Sequence, residues 1–281
     1  VNECCNRELR YENPLYLAEE AAALDLLSDG RLALGMSRGS PETALRGYEA
    51  FGYTGSQDPR GADLAREKFD LFWAAVGGGS LVDADPRMAP PGTRLRIEPQ
   101  STTLPKHVWW GSGTRASAEW AGGRGLNLMS STLLTEATGK PFHELQAEQI
   151  DAFRQAYRDA GHSGAPRVSV SRSIFPIVSE LDARYFGDGR DEESDQVGMI
   201  DGFRSTFGKT YAAEPDRLIE QLLADSAVQS ADTVMLTVPN QLGVAYNLHV
   251  LESFAKHVAP ALGWKPNWEG PVEGMALRQP V

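Results

Sequence analysis

An α/β fold built on a mainly parallel sheet is predicted by three observations. Strand-like and helix-like segments alternate along most of the chain, the order produced when crossover helices join successive parallel strands. The 281 residues, 41% of them hydrophobic, can bury one large core and suit a single α/β barrel as well as two small domains. Finally, Val108–Trp120 reads as a short apolar strand, a Gly-Ser-Gly-Thr turn and the start of a helix.

Each element follows from its residues. Asn13-Pro14 opens the first helix, with Asn as cap and Pro in the first helical position. Leu and Ala at helical spacing carry it to Leu27, and Ser28-Asp29-Gly30 ends it. Arg31–Ser37 is a short apolar strand. Residues 39–60, rich in Gly, Pro, Ser and Thr, form a long loop, and a second helix runs from Ala62 to Val76. Residues 77–105 surround one alternating segment, Thr93–Glu98, and read as a hairpin insertion. A strand at His107–Trp110, a helix from Thr114 and a strand at Leu126–Ser130 restore βαβ order. Helix His143–Ala160 presents Ile150, Phe153, Tyr157 and Ala160 on one face, and strand Arg167–Val178 follows. Residues 179–212 are acidic and weakly patterned: Gly187–Ser194 reads as a mobile polar core, and Met199, Ile200, Phe203 and Phe207 as a helical flap. Helix Asp216–Ala227, strand Thr233–Val238 and helix Val244–Val258 complete the alternation. This gives about six strand candidates, where a closed barrel needs eight, and residues 1–10 show no clean strand.

Composition excludes several classes. A net charge of −11 without clustered Lys and Arg argues against nucleic acid. No apolar run reaches a membrane span of roughly 18 residues, and no signal peptide precedes the first residue. Cys4 and Cys5, adjacent and the only cysteines, suit neither a relaxed disulfide nor a metal set, so a reducing cytoplasm is expected. The five histidines supply no triad or metal box. Ser37 lacks the G-x-S-x-G context of a nucleophile elbow. No metal site and no catalytic residue is identified.

The turn after Trp110 is the main chemical signal. Helix N-terminal N–H groups and the helix dipole favour an anion, and glycine lets a phosphate approach the backbone. Gly111, Ser112, Gly113, Thr114 and Ser117 form this candidate cradle; an ordinary βα turn capped by Thr114 is the competing reading. Gly111–Ala116 also fits G-x-G-x-x-A, but Ser130 and Ser131 stand where a dinucleotide site needs an acidic residue, which disfavours a Rossmann domain.

Three segments together resemble the bacterial luciferase-like family of flavin-dependent monooxygenases: Asn13-Pro14 through Leu24-Asp-Leu-Leu-Ser-Asp-Gly-Arg to Arg38-Gly39; the Gly-Ser-Gly-Thr loop with Glu119-Trp120-Ala121 and Gly125-Leu126; and Asp232–Gly243. The resemblance covers most of residues 11–264. It implies one luciferase-like TIM (β/α)8 barrel over 1–281, with its core at 11–264. Residues 179–212 exceed an ordinary βα connection and are a lid candidate, a disordered surface insertion being the competing reading. The family's first two strands and most of a third, normally ahead of the Asn-Pro helix, are lacking, so a fragment or a truncated form is expected.

The resemblance also implies FMN as cofactor, supplied reduced by a separate flavin reductase, with O2 and a small organic substrate as co-reactants and a homodimer as assembly. F420 on the same barrel is the alternative, and a non-catalytic flavin-binding partner subunit is a third reading. Arg38, ending its strand, matches the arginine that holds the FMN phosphate; its other reading is an ion pair with Glu42. Ser40 adds a backbone N–H. Met129, Ser130 and Ser131 end the next strand, and the resemblance places them against the flavin ring, Met129 and Ser131 foremost; strand-end packing is their alternative. Asn240 and Gln241 are substrate-contact candidates, or simply stabilise their turn. Trp109 and Trp110 must point to opposite faces, one inward and one toward the helices.

Overall fold

A computed structural model describes residues 4–39, 43–187, 194–200, 202–266, 272–273 and 276–277, of which residues 4–6, 272–273 and 276–277 as backbone alone. The chain divides into two compact units, Val1–Gly111 with Glu269–Val281, and Ser112–Trp268. The expectations for Ser40, for Glu42, for residues 188–193 of the polar loop and for the Cys4 and Cys5 side chains lie outside the described residues.

In the first unit, β1 (Cys4–Glu8), β2 (Ala33–Ser37) and β5 (Val108–Ser112) form a parallel sheet in that order. The expectation that residues 1–10 hold no strand is therefore corrected. Cys4–Glu8 pairs with Ala33–Ser37 residue for residue, and its unpatterned sequence is held by the ladder rather than by an alternating face. Helix α1 (Pro14–Leu27) starts as expected: Asn13 Oδ1 accepts from the Leu15 and Tyr16 N–H groups at 3.0 and 3.2 Å. Asp25, inside the Leu-Asp-Leu-Leu-Ser motif, is wholly buried and accepts from Ser101 Oγ and Thr103 Oγ1, both at 2.5 Å. That motif residue thus ties the helix to residues 101–107.

Helix α2 (Ala62–Val76) packs on α1, and its Phe69 meets Trp110 edge-on at 5.4 Å. Trp110 is therefore the tryptophan on the helix side. In the 77–105 segment, Thr93–Glu98 keeps only two strand residues, β4 (Arg94–Leu95), paired antiparallel with β3 (Val82–Asp83).

In the second unit, β6 (Asn127–Ser130), β8 (Val168–Arg172) and β13 (Thr233–Leu236) are parallel in that order. Helix α3 (Arg115–Gly123) packs along α4 (Phe142–Asp159). On α4, Ile150 and Phe153 are buried as expected, whereas Ala160 lies beyond the helix and is exposed. The single strand expected at 167–178 breaks at Ser173 into β8 and β9 (Ile174–Pro176).

The helical flap is also corrected. After α5 (Glu180–Phe186), β10 (Gln196–Ile200) and β11 (Phe203–Phe207) form an antiparallel hairpin. Two residues, Asp201-Gly202 in sequence, separate them, a strong hairpin signal that outweighs a helical spacing of four apolar residues. β11 also pairs with β7 (Leu133–Leu134), and β12 (Tyr211–Ala213) pairs parallel to β9. The helix expected at 216–227 is split into α6 (Pro215–Ala224) and α7 (Ser226–Ser230), because Asp225 leaves the helical conformation to cap α7. α8 (Gly243–His257) follows β13.

Candidate functional site

The candidate turn begins where β5 ends. β2 and β5 are neighbours with Met36 opposite Trp110, so both strands terminate at the same edge of the first unit's sheet. Arg38, half-buried, occupies a bend directly after β2. Gly39 follows with φ 110° and its N–H on Ser37 Oγ at 3.0 Å. A Cβ there would lie 2.6 Å from Glu8 Oε2 and 2.9 Å from Arg10 Nη2, so this glycine is required by conformation and by space.

In the second unit the turn runs straight into α3. Thr114 is extended and caps the helix, its Oγ1 accepting from Ser117 N–H at 3.0 Å. That N–H is thereby committed, and the first-turn N–H groups of Arg115 and Ala116 are those that helix geometry leaves without an intrahelical acceptor. The Thr114 hydroxyl still carries its own proton to donate. Ser112 is buried and its Oγ donates to the Thr114 carbonyl at 2.8 Å, so its side chain serves the turn itself. Gly113 differs from Gly39. Its φ is not positive, and an added Cβ would meet only Leu133, 3.6 Å from its carbonyl oxygen and 3.9 Å from Cδ1. Among the described residues nothing demands glycine there.

The segment after β6 closes against this turn. Ser131 N–H donates to the Ser112 carbonyl at 3.0 Å, and Thr135 N–H donates to the Gly113 carbonyl at 2.9 Å. Met129 is buried, while Ser131 is half-buried and its Oγ accepts from Leu133 N–H at 3.4 Å. Met129 stands opposite Ser169 in register and Ser130 opposite Val170, so Met129 and Ser130 face opposite sides of the sheet. Ser130 is bound to α4: its hydroxyl donates to Gln149 Oε1 at 2.5 Å and accepts from Gln146 Nε2 at 2.8 Å. Asn240 and Gln241 lie exposed in a 3-10 turn, where Asn247 Nδ2 donates to the Pro239 carbonyl at 3.1 Å.

Several polar residues escaped the sequence reading. Gln146 and Gln149 sit among Phe142, Leu145, Ile150 and Phe153, all buried, on one face of α4. Polar side chains interrupting an apolar helical stripe were the available signal. Elsewhere in this unit Arg172 binds Asp225 through two bonds of 2.8 and 3.0 Å, and the Tyr211 hydroxyl donates to Asp225 Oδ2 at 2.6 Å. Burial raises the Asp225 pKa, but the hydrogen bonds and charge of Arg172, with the Tyr211 hydroxyl, outweigh it and hold the carboxyl below its ordinary range. Asp182 is likewise buried yet lowered, through Tyr246, Ser179, the Val178 N–H and His249. Both carboxylates are occupied by structural partners. Among the described residues no group of three or more His, Cys, Asp or Glu could hold a metal ion, and no helix is long and apolar enough to cross a membrane.

The sequence pattern of the luciferase-like monooxygenases matches residues 8–185. No curated protein sequence matches the chain. Among solved structures it is similar to monooxygenase RslO1 from Streptomyces bottropensis, at 18% identity and TM-score 0.64, over 92% of this chain and 76% of that one. It is similar to the oxygenating constituent of 3,6-diketocamphane monooxygenase from Pseudomonas putida, a complex with FMN, at 15% identity and TM-score 0.61, over 91% and 78%. A coenzyme F420-dependent tetrahydromethanopterin reductase from Methanopyrus kandleri is a further likeness, at 14% identity and TM-score 0.56, over 92% and 82%. These likenesses establish a luciferase-like TIM-barrel fold, and with the family pattern spanning more than half of its length the chain belongs to the luciferase-like monooxygenase family.

Proposed function

We propose that the protein is a flavin-dependent monooxygenase that binds reduced FMN by its phosphate at the Gly111–Ser117 turn. The observation that carries this reading is Gly113: a glycine that neither conformation nor packing requires, placed where a helix N-terminus directs N–H groups outward. The donor set fits a phosphate monoester. The Arg115 and Ala116 N–H groups and the Thr114 hydroxyl donate, and the dipole of α3 favours the negative charge. Arg38 is a further proposed phosphate contact, on the family resemblance. Met129 and Ser131 are proposed ring contacts, and Asn240 and Gln241 substrate contacts.

Bound there, reduced FMN would supply the electrons for O2 to oxygenate a small organic substrate, and a separate reductase would deliver it. The chain's own groups anchor, orient and exclude water. The β10–β11 hairpin is the proposed cover. Its β11 pairs with β7, whose Leu133 packs beside Gly113, and it displays Val197, Met199 and Phe203 to solvent. The Arg38-Gly39 match and the Ser117-Ala-Glu-Trp120 run favour FMN over F420.

Fluorescence titration tests the reading. FMN should bind saturably, with Arg38→Ala weakening it, and the protein loaded with reduced FMN and given substrate should take up O2. Tight F420 binding without O2 uptake would replace FMN by F420, FMN binding without turnover would favour a partner subunit, and indifference to both cofactors would overturn the proposal.

A further inference from the structure

The strongest unexplained feature of the second unit is the buried amide pair of α4. Gln146 and Gln149 are 0% and 2% exposed, yet Gln146 Oε1 and Gln149 Nε2 have no hydrogen-bond partner among the described residues. A partly satisfied buried amide pair is a poor device for stability, because each unpaired atom keeps its desolvation cost. An apolar pair of similar size would serve the core at least as well.

What the pair does hold is the edge of the candidate site. Gln146 Nε2 donates to the Ser131 carbonyl at 2.9 Å and to Ser130 Oγ at 2.8 Å. The Ser130 hydroxyl in turn donates to Gln149 Oε1. Ser131 passes the constraint on, its N–H bound to the Ser112 carbonyl at 3.0 Å. Ser112 Oγ then donates to the Thr114 carbonyl at 2.8 Å, and Thr114 caps α3 through Ser117. A continuous hydrogen-bonded path therefore runs from the interior face of α4 to the N–H groups of the turn. We propose that Gln146 is a positioning residue: it fixes the Ser131 main chain and, through it, the Ser112–Ser117 turn in the geometry that receives a phosphate. Gln149 orients the Ser130 hydroxyl and has no direct bond to Ser131. The inference rests on the phosphate reading of the turn given above.

The test compares FMN with riboflavin, which shares the ring and lacks the phosphate. Titrations are run on the wild type, on Gln146→Met, which keeps volume and removes the donor, and on Gln149→Met. The wild type should prefer FMN. Gln146→Met should lose about tenfold in FMN affinity, the scale of one well-placed hydrogen-bonded contact, with riboflavin affinity kept within about twofold. Gln149→Met should retain most of the FMN preference. Should Gln146→Met fail to fold, Gln146→Leu, apolar and without the amide donor, should show the same selective loss. A folded Gln146 variant with the wild-type FMN-to-riboflavin ratio would overturn the positioning role alone. A wild type that binds FMN and riboflavin equally would overturn both this role and the phosphate reading.

Discussion

Two buried polar networks in the second unit are built on opposite principles. In Arg172–Asp225–Tyr211, the Asp225 carboxylate accepts two guanidinium bonds, a phenol and the Val228 N–H. The guanidinium is also bound to the Ser171 carbonyl and lies over the Phe142 ring at 5.4 Å. In Gln146–Gln149–Ser130, neutral groups are equally buried and each amide leaves an atom unpaired. The first joins β8, α7 and β12 and is closed on itself. The second opens, through Ser131, onto the turn at α3. The contrast teaches that burial alone does not separate structural from functional polar residues: the direction in which the hydrogen bonds lead does.

The comparison breaks most severely at Asp225. Asp225→Ala leaves the Arg172 guanidinium buried without its counter-charge, a loss of about 3–5 kcal/mol, read as a shift of the urea midpoint at unchanged slope. A loss near zero would mean that Arg172 reaches water and that the network is not closed.

Tyr211→Phe removes one bond to a charged group, an expected loss of about 1.5–3 kcal/mol in the same denaturation experiment. Burial, followed by the adjacent Asp225 charge, raises the Tyr211 pKa. Its contribution is thus complete below the ordinary tyrosine range near 10 and declines as pH rises through the higher folded value. Asp225 works in the opposite sense. Its folded pKa is depressed, so its contribution is present above the ordinary aspartate range near 4 and is lost as pH falls through the folded value. Stability measured from pH 7 to 2 should show a smaller acid-dependent loss in Asp225→Asn than in the wild type; identical acid slopes would remove Asp225 from that account.

Gln146→Met should change stability least, by about 1–2 kcal/mol, because the Ser131 carbonyl loses its amide donor while an unpaired amide oxygen is removed with it. A loss as large as that of Asp225→Ala would erase the distinction between the networks.

Much of the frame could be read from the residues. Asn13-Pro14, the Thr114 cap and the alternation of strands and helices give the parallel sheets directly, because caps and periodicity are local signals. β1 was not legible, since a five-residue strand with Asn6, Arg7 and Glu8 is defined by its partner rather than by its own pattern. The hairpin at 196–207 was not legible because four apolar residues at near-helical spacing mask the Asp201-Gly202 turn. At the site, the turn and its cap were legible. Thr135 and Gln146 were not, because their contacts with Gly113 and Ser131 cross 22 and 15 positions of sequence.

The central claim, that the turn opening α3 receives a cofactor phosphate, is tested most directly at Gly113. A Cβ at Gly113 makes only ordinary contact with Leu133, and Gly113→Asp adds a negative charge to the turn proposed to receive the phosphate. With FMN and riboflavin titrated side by side, the account predicts that the variant loses about a hundredfold in FMN affinity, the scale of a like-charge clash in a shielded site, while riboflavin binding holds. An unchanged FMN affinity in a folded Gly113→Asp protein would contradict it.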